Sequence, residues 1–280
     1  MISHDQHVDR QFGPVAAAYL SSPVHAQGAD LAKTAALLRG AGRVLDVGCG
    51  AGHLSFAVAP GVREVVASDL SPGMLDAVRD EAQRRGLANL TTQQASAEAL
   101  PFADASFDAV CTRYSAHHWA GLAAGLAEIR RVLKPGGRLV VIDIVSPDDP
   151  LLDSHLQTLE LLRDASHVRD HSIAQWTTHL ENAGLYVAYT EAWPLPMQFD
   201  SWVARMRTPA DRVAVLRGLL QQAPAEVRRH FNVQADDSFD IEAAMLVCSD
   251  PSGVRASGRR PQQSPPSRCT STLAPSRTST

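Results

Sequence analysis

In the stretch Val44-Leu45-Asp46-Val47-Gly48-Cys49-Gly50-Ala51-Gly52, an apolar run broken by one acid leads into three glycines at alternate positions. Glycine reaches backbone conformations closed to other residues and carries no side chain, so such a turn can bring its main chain against a ligand. A helix beginning near His53 and Leu54 would point its free N–H groups and positive dipole end at a carboxylate or phosphate. A second acid, Asp69, ends the next apolar run, Val65-Val66-Ala67-Ser68, where a carboxylate can accept from both hydroxyls of a ribose. Farther on, His117 and His118 follow a fourth strand-like run, and His167 and Arg169 follow a fifth. Imidazole exchanges protons near neutral pH, and guanidinium captures carboxylate or phosphate through two hydrogen bonds.

Two ligand classes compete for the glycine turn, dinucleotides and S-adenosylmethionine (SAM). A dinucleotide fingerprint reads G-x-G-x-x-G, whereas Gly48, Gly50 and Gly52 give G-x-G-x-G with Asp46 inside the strand. That form resembles motif I of the class I SAM-dependent methyltransferases. Asp69 discriminates poorly, because a nicotinamide dinucleotide site also wants an acid there. Three later blocks follow in the order of the same family: Ala97-Glu98-Ala99-Leu100-Pro101-Phe102, Ser106-Phe107-Asp108-Ala109-Val110, and Leu133-Lys134-Pro135-Gly136-Gly137-Arg138-Leu139-Val140-Val141. Together they resemble the ubiquinone and menaquinone C-methyltransferase-like branch, from about Phe12 to about Val247. The stretches Arg163 to Arg169 and Asp200 to Arg205 are similar to a bacterial subgroup of small-molecule methyltransferases whose acceptors are largely unassigned.

The resemblance implies SAM as cofactor and a role for each matching residue. Asp46 would orient the turn or meet the methionine amino group, Gly48, Gly50 and Gly52 would line the cofactor, and Asp69 would take the ribose. Leu70 and Met74 would cover the adenine, although a methionine at helical spacing equally suits a core. Many relatives have an acid before the Ala-Glu pair; this chain has Ser96 there, so the adenine contact falls to Ser96 or to the backbone around Ala97. Tyr19 and His25 would reach the cofactor from the N-terminal segment.

Methyl transfer from a sulfonium is an in-line displacement that needs positioning, exclusion of water and sometimes a base. The segment Thr112-Arg113-Tyr114-Ser115-Ala116-His117-His118-Trp119 stands where the methyl group would emerge. It lacks the Asn/Asp-Pro-Pro-aromatic motif of amino-methylating nucleic-acid and glutamine enzymes, which disfavours both. His117 is the candidate base, ahead of His118, with orientation of a neighbour or plain packing as the other reading. His167 and Arg169 could face the acceptor together or lie on a solvated face; Arg205 and Arg207 present the same choice. The expected reaction is methylation of carbon or oxygen on a small organic acceptor. A non-catalytic SAM-binding regulator and, more distantly, an NAD(P)-linked oxidoreductase are the alternatives.

With 280 residues, 45% of them hydrophobic, the chain can build one α/β domain with a sizeable core. A formal net charge of −4 without a basic stripe argues against nucleic acid as partner. No basic-then-apolar leader and no apolar run near the roughly 20 residues of a bilayer span are present, so a cytoplasmic protein is expected. Cys49, Cys111, Cys248 and Cys269 show no C-x-x-C spacing, so no structural metal site is expected and packing roles suit them.

Strand patterns fall at 43–47, 64–68, 90–94, 107–112, 138–144, 186–191 and 241–247, with helical patterns between most of them. This alternation predicts a Rossmann-like, doubly wound sheet of seven strands that collects ligands at its carboxyl ends. The family resemblance makes the sheet mostly parallel with the last strand antiparallel. Pro135-Gly136-Gly137 is expected to turn a helix ending at Lys134 into the fifth strand. Residues 1–250 are read as the methyltransferase domain. Residues 1–38 are its helical lid and 194–231 an insertion or cap, each able to close over the pocket or merely to pack on the sheet. Residues 251–280, rich in Ser, Thr, Pro, Arg and Gly, are expected to be a disordered tail, either a basic arm or an idle extension.

Overall fold

The computed structural model describes residues 2–13, 20 and 28–249. The expectations for the 251–280 tail and for Tyr19 and His25 lie outside the described residues. Seven strands form one sheet: β1 Arg43–Val47, β2 Glu64–Asp69, β3 Leu90–Gln94, β4 Phe107–Arg113, β5 Leu133–Val145, β6 Tyr186–Met197 and β7 Phe239–Ser249. Their order is β3-β2-β1-β4-β5-β7-β6. Neighbours from β3 to β5 run parallel, and β7 runs antiparallel between β5 and β6. This is the expected Rossmann-like architecture, with the last strand entering the sheet beside the edge.

Alternation along each strand divides the core in two, because successive side chains point to opposite faces. Leu45, Val47, Val110 and Leu139 pack on one face with Leu126, Ile129, Trp176 and Leu180. These last four come from α5 (Leu122–Val132) and α7 (Ile173–Asn182). Val44, Val65, Ala109 and Val140 pack on the other face with Leu38, Leu54, Phe56 and Val78. Those belong to α2 (Ala29–Leu38), α3 (His53–Val58) and α4 (Pro72–Arg84). The inner strands β1, β2, β4 and β5 are largely buried on both faces, which is why they read as nearly continuous apolar runs.

A third cluster joins β7 and the end of β5 to four more helices: α6 (Pro150–Arg163), α8 (Phe199–Arg205), α9 (Ala210–Gln221) and α10 (Ala225–His230). Leu156 and Leu159 of α6 meet Trp202, Leu216, Leu220 and Val227 there. The first helix, α1 (His4–Phe12), starts with a capping box: Ser3 Oγ accepts from the Gln6 backbone N–H, and Gln6 Oε1 accepts from the Ser3 N–H. Among the described residues no helix is long and apolar enough to cross a membrane.

Several boundaries differ from the sequence reading, three of them for identifiable reasons or with consequences for the cap. Helix α5 stops at Val132, not Lys134, and Leu133 already pairs with Phe107; residues 134–137 then form an irregularity before Arg138 pairs with Ala109. Gly136, at φ +77°, permits that bulge, and Lys134 Nζ donates to Asp108 Oδ1 at 2.7 Å. Strand β6 continues through Pro194 and Pro196 to Met197, so the cap helices start after the expected Pro194. β6 is the edge strand, where a proline's missing N–H can face the open side. Finally β7 begins at Phe239, two residues early.

Candidate functional site

The glycine turn leaves β1 with Gly48, Gly50 and Gly52 all in the left-handed region, at φ +66°, +50° and +85°. It is tied to β2 at two points: Cys49 N–H donates to Ser68 O at 2.9 Å, and Gly50 N–H donates to Asp69 Oδ2 at 2.8 Å. Asp69 Oδ1 accepts from Ser71 N–H at 2.9 Å, so each carboxylate oxygen keeps a further lone pair for a ligand. Asp46 is buried beneath the turn; its Oδ2 accepts from Ser55 Oγ at 2.6 Å, while Oδ1 is buried without a partner. Burial first, with the Asp69 charge adding to it, pushes the Asp46 carboxyl up to about 6, and burial also raises Asp69.

The turn opens on a cavity enclosing about 1010 Å³ of empty space, solvent at its mouth included. Asp46, Gly48, Gly50, Asp69, Leu70, Met74 and Ala97 line it. Gly52 lies one step behind: a Cβ there would come within 2.9 Å of Phe56 and Val78, so its lack of a side chain serves helix packing. Ser96 does not line the cavity; its hydroxyl is bonded to the Glu98 carboxylate, and Ala95 and Ala97 take the wall on either side.

The lining also holds residues the sequence reading did not assign. Asp5, Val8 and Phe12 come from one side of α1, and their spacing of three and four residues is a helical-face signal preceded by the Ser3-x-x-Gln6 capping pattern. Arg113 ends β4, and Tyr114, Ser115 and Trp119 follow it. Tyr114 stands at φ +51°, a costly conformation for an aromatic residue, and its N–H donates to Ile142 O at 2.8 Å.

Charge sorts the two ligand classes. Asp5, Asp46, Asp69 and Glu98 line the cavity against one guanidinium, Arg113, which is ion-paired with the buried Asp30. A surplus of carboxylates suits a ligand carrying an ammonium and a sulfonium and repels a pyrophosphate. Together with the orphaned Asp46 Oδ1 and the open space over Gly50, where a Cβ would meet nothing within 4 Å, this lining fits SAM.

A second cavity, of about 580 Å³, shares Phe12, Tyr114 and His118 with the first. Its lining mixes apolar residues, Ile144, Leu195, Met197, Trp202 and Ile241, with His117, Glu160, Arg163, Asp164 and Arg205; Arg163 lies over the Trp202 ring at 5.0 Å. His117 therefore lies on the second cavity and not on the first. His167 and Arg169 line neither. His167 is buried against Gln157, with Nε2 and Oε1 3.0 Å apart, and Arg169 is paired with Asp153 at 2.7 Å. What that segment contributes is its backbone: the N–H groups of Val168 and Arg169 donate to His117 O at 2.8 and 3.2 Å. Arg207 reaches Gln11 O on α1 at 3.1 Å and faces neither cavity.

Comparison with known proteins agrees with this geometry. A methyltransferase-domain family matches residues 45–141. YafE of Escherichia coli K12 is 49% identical over 195 residues, 70% of this chain and 94% of that protein. The methyltransferase YcgJ of Bacillus subtilis is 40% identical over 243 residues, 84% of this chain and 96% of its own length. The crystal structure of YcgJ superposes with a TM-score of 0.76 at 36% identity, over 79% of this chain and 97% of that one. A demethylmenaquinone methyltransferase of Thermus thermophilus is 43% identical over 108 residues, 38% of this chain and 48% of that protein. The chain belongs to the class I SAM-dependent methyltransferases, and part of it is similar to the ubiquinone and menaquinone C-methyltransferases. It is a SAM-dependent methyltransferase, and the oxidoreductase alternative falls away.

Proposed function

We propose that the protein methylates carbon or oxygen of a small organic acceptor, with SAM in the first cavity and the acceptor in the second. The observation that carries this reading is the shared wall of Phe12, Tyr114 and His118, which puts two separately lined chambers in contact at the carboxyl end of β4. SAM, when bound, supplies a methyl group on a sulfonium. In the first chamber Asp69 would hold the ribose hydroxyls, the Gly48–Gly50 backbone and Asp46 the amino-acid end, and Leu70 and Met74 the adenine. Glu98 accepts from Gly121 N–H at 3.1 Å and so braces the wall beside Ala97. In the second, the apolar side chains would support the acceptor's body and the polar ones orient its reacting end. Val8 and Phe12 of α1 cover the chambers, and displacement of water is their contribution.

Calorimetric titration with SAM, S-adenosylhomocysteine and NAD tests the first chamber; SAM and S-adenosylhomocysteine should bind and NAD should not. A screen of phenols, quinone precursors and acyl thioesters with labelled SAM tests the second. An acceptor should compete for turnover in wild type and lose affinity in Trp202→Ala while SAM affinity holds. Saturable SAM binding with no methyl transfer to any of these acceptors would overturn the acceptor reading.

A further inference from the structure

The one-turn 3₁₀ segment Ala116–His118 sets two histidines side by side, ring centroids 4.2 Å apart, and their surroundings treat them in opposite ways. His117 is locked to Asp143 of β5: Nδ1 lies 2.5 Å from Oδ1, and the His117 backbone N–H donates to Oδ2 at 3.3 Å. Glu160 adds negative charge near it, burial raises the Asp170 carboxyl, and the His167 ring stands 5.8 Å away. Burial alone would lower the basicity of His117, but the Asp143 charge and hydrogen bond outweigh it and the pKa rises to about 9. At neutral pH His117 is an imidazolium.

His118 is held differently, with its carboxylate partner farther off. Its Nδ1 lies 3.1 Å from Ser166 O, and a carbonyl can only accept, so the ring proton sits on Nδ1 and the lone pair on Nε2. The Asp164 carboxylate stands 3.9 Å from that Nε2, with its other oxygen fixed by the Ser166 N–H at 2.8 Å and hydroxyl at 2.7 Å. On the α1 side His4 Nε2 holds the His118 carbonyl at 2.8 Å, and the Phe12 ring packs edge-on at 5.0 Å. Burial, then the neighbouring His117 cation, pushes His118 down to about 4, so it stays neutral.

We propose that His118, and not His117, receives the proton released by the methyl acceptor, with Asp164 as the positioning residue behind it and the His117–Asp143 pair as a fixed cation beside it. The proposal rests on the reading of the second cavity as the acceptor chamber, and His118 is the histidine on the wall common to both. The acceptor's nucleophilic atom takes the methyl carbon, the carbon–sulfur electron pair stays on sulfur, and the acceptor's proton moves to Nε2 of His118. The resulting cation faces Asp164 and returns its proton to water when product leaves. A weak base serves here because the imidazolium of His117 and the incoming sulfonium both acidify a hydroxyl or enol bound between them.

The test reads protonation directly. Imidazole ¹⁵N NMR of the full chain with S-adenosylhomocysteine, assigned through His117→Gln and His118→Gln, should show His117 protonated on both nitrogens at pH 7. His118 should be neutral with its proton on Nδ1. A neutral His117, a charged His118 or a proton on Nε2 of His118 overturns the proposal even before an acceptor is known. With an acceptor from the screen, His118→Gln should lower kcat about 10²–10⁴-fold at unchanged affinity for S-adenosylhomocysteine. Asp164→Asn should lower kcat with little change in KM and move the acid limb of the pH profile downward. Wild-type kcat/KM that climbs about tenfold per pH unit towards pH 9 would show His117 to be the base and overturn the assignment. A screen in which nothing turns over refutes the acceptor chamber instead, while the spectrum still decides between the two histidines.

Discussion

Gly48 and Gly50 both have positive φ, yet substitution at the two should fail for different reasons. A Cβ on Gly48 would overlap Ser115 Oγ outright and come within 2.7 Å of Ser115 Cβ, whereas one on Gly50 meets nothing within 4 Å. Left-handed backbone costs an alanine about 1–2 kcal/mol at either position. At Gly48 the displaced Ser115 also gives up its hydrogen bond from Trp119 Nε1, 3.1 Å in the native protein. That loss is about 0.5–1.5 kcal/mol, and overpacking adds about 1–3 kcal/mol. Gly48→Ala should therefore lose about 3–6 kcal/mol and Gly50→Ala only about 1–2 kcal/mol, or about 9–18 °C against about 3–6 °C in melting temperature.

Cofactor affinity should reverse the ranking for the folded fraction. The methyl group of Gly50→Ala stands in open cavity beside Asp69, where SAM is expected, and should weaken SAM binding tenfold or more with a modest stability loss. Urea denaturation gives the stabilities and titration calorimetry the affinities. Adding Ser115→Gly to Gly48→Ala removes the overlap, so a double-mutant cycle should show a favourable coupling of about 1–3 kcal/mol while the backbone strain remains. Equal stability losses at the two glycines, or no coupling with Ser115, would refute the steric account.

Other consequences can be checked independently. Arg113→Met leaves Asp30, 5% exposed on its side chain, as an unpaired buried charge; it should cost about 3–5 kcal/mol in urea denaturation, and a loss under about 1 kcal/mol would mean water reaches the carboxylate. Asp69→Ala should weaken SAM binding about ten- to a hundredfold, about 1.5–3 kcal/mol, and unchanged affinity in a folded variant would remove Asp69 from the ribose site. His117 contributes a pH dependence whose sign is fixed: its folded pKa, about 9, lies above the ordinary 6.5, so its stabilisation is complete below pH 6.5 and is lost as pH rises through 9. Wild type should lose up to about 3 kcal/mol between pH 6.5 and 9.5, and His117→Gln should flatten that slope; an unchanged slope would place the titration elsewhere.

The cofactor half of the site was legible because its parts are close in sequence. Residues 44–52 and 69 form two strand ends and one turn, and local chemistry dictates the types: glycine where φ is positive, an acid where backbone N–H groups converge. The sheet was legible for a similar reason, since strands buried on both faces leave unbroken apolar runs. Strand β6 was cut short because its last residues contain two prolines, and only its place at the edge tells why they are tolerated. The second cavity is assembled from α1, the turn after β4, β5, α6, β6, the cap and β7, whose contributing residues run from Phe12 to Ile241. No local pattern announces such a set.

His117 and His118 show where reading side-chain types reaches its limit. They are neighbours of one type in one turn, and the sequence reading put His117 ahead of His118. What separates them is an acid 26 residues away on β5 and a carbonyl 48 residues away after α6. The first fixes a charge and the second a tautomer, and each depends on tertiary placement. The same holds for Arg169, whose guanidinium is typed for anions but whose partner is Asp153 of α6. Once an internal carboxylate occupies an arginine, its availability to an outside ligand drops by the strength of that pair, and no residue type records this. Chemistry beyond β4 therefore follows from where the fold places each polar group, and on that criterion His118, on the wall common to both cavities, stands apart from His117 and His167.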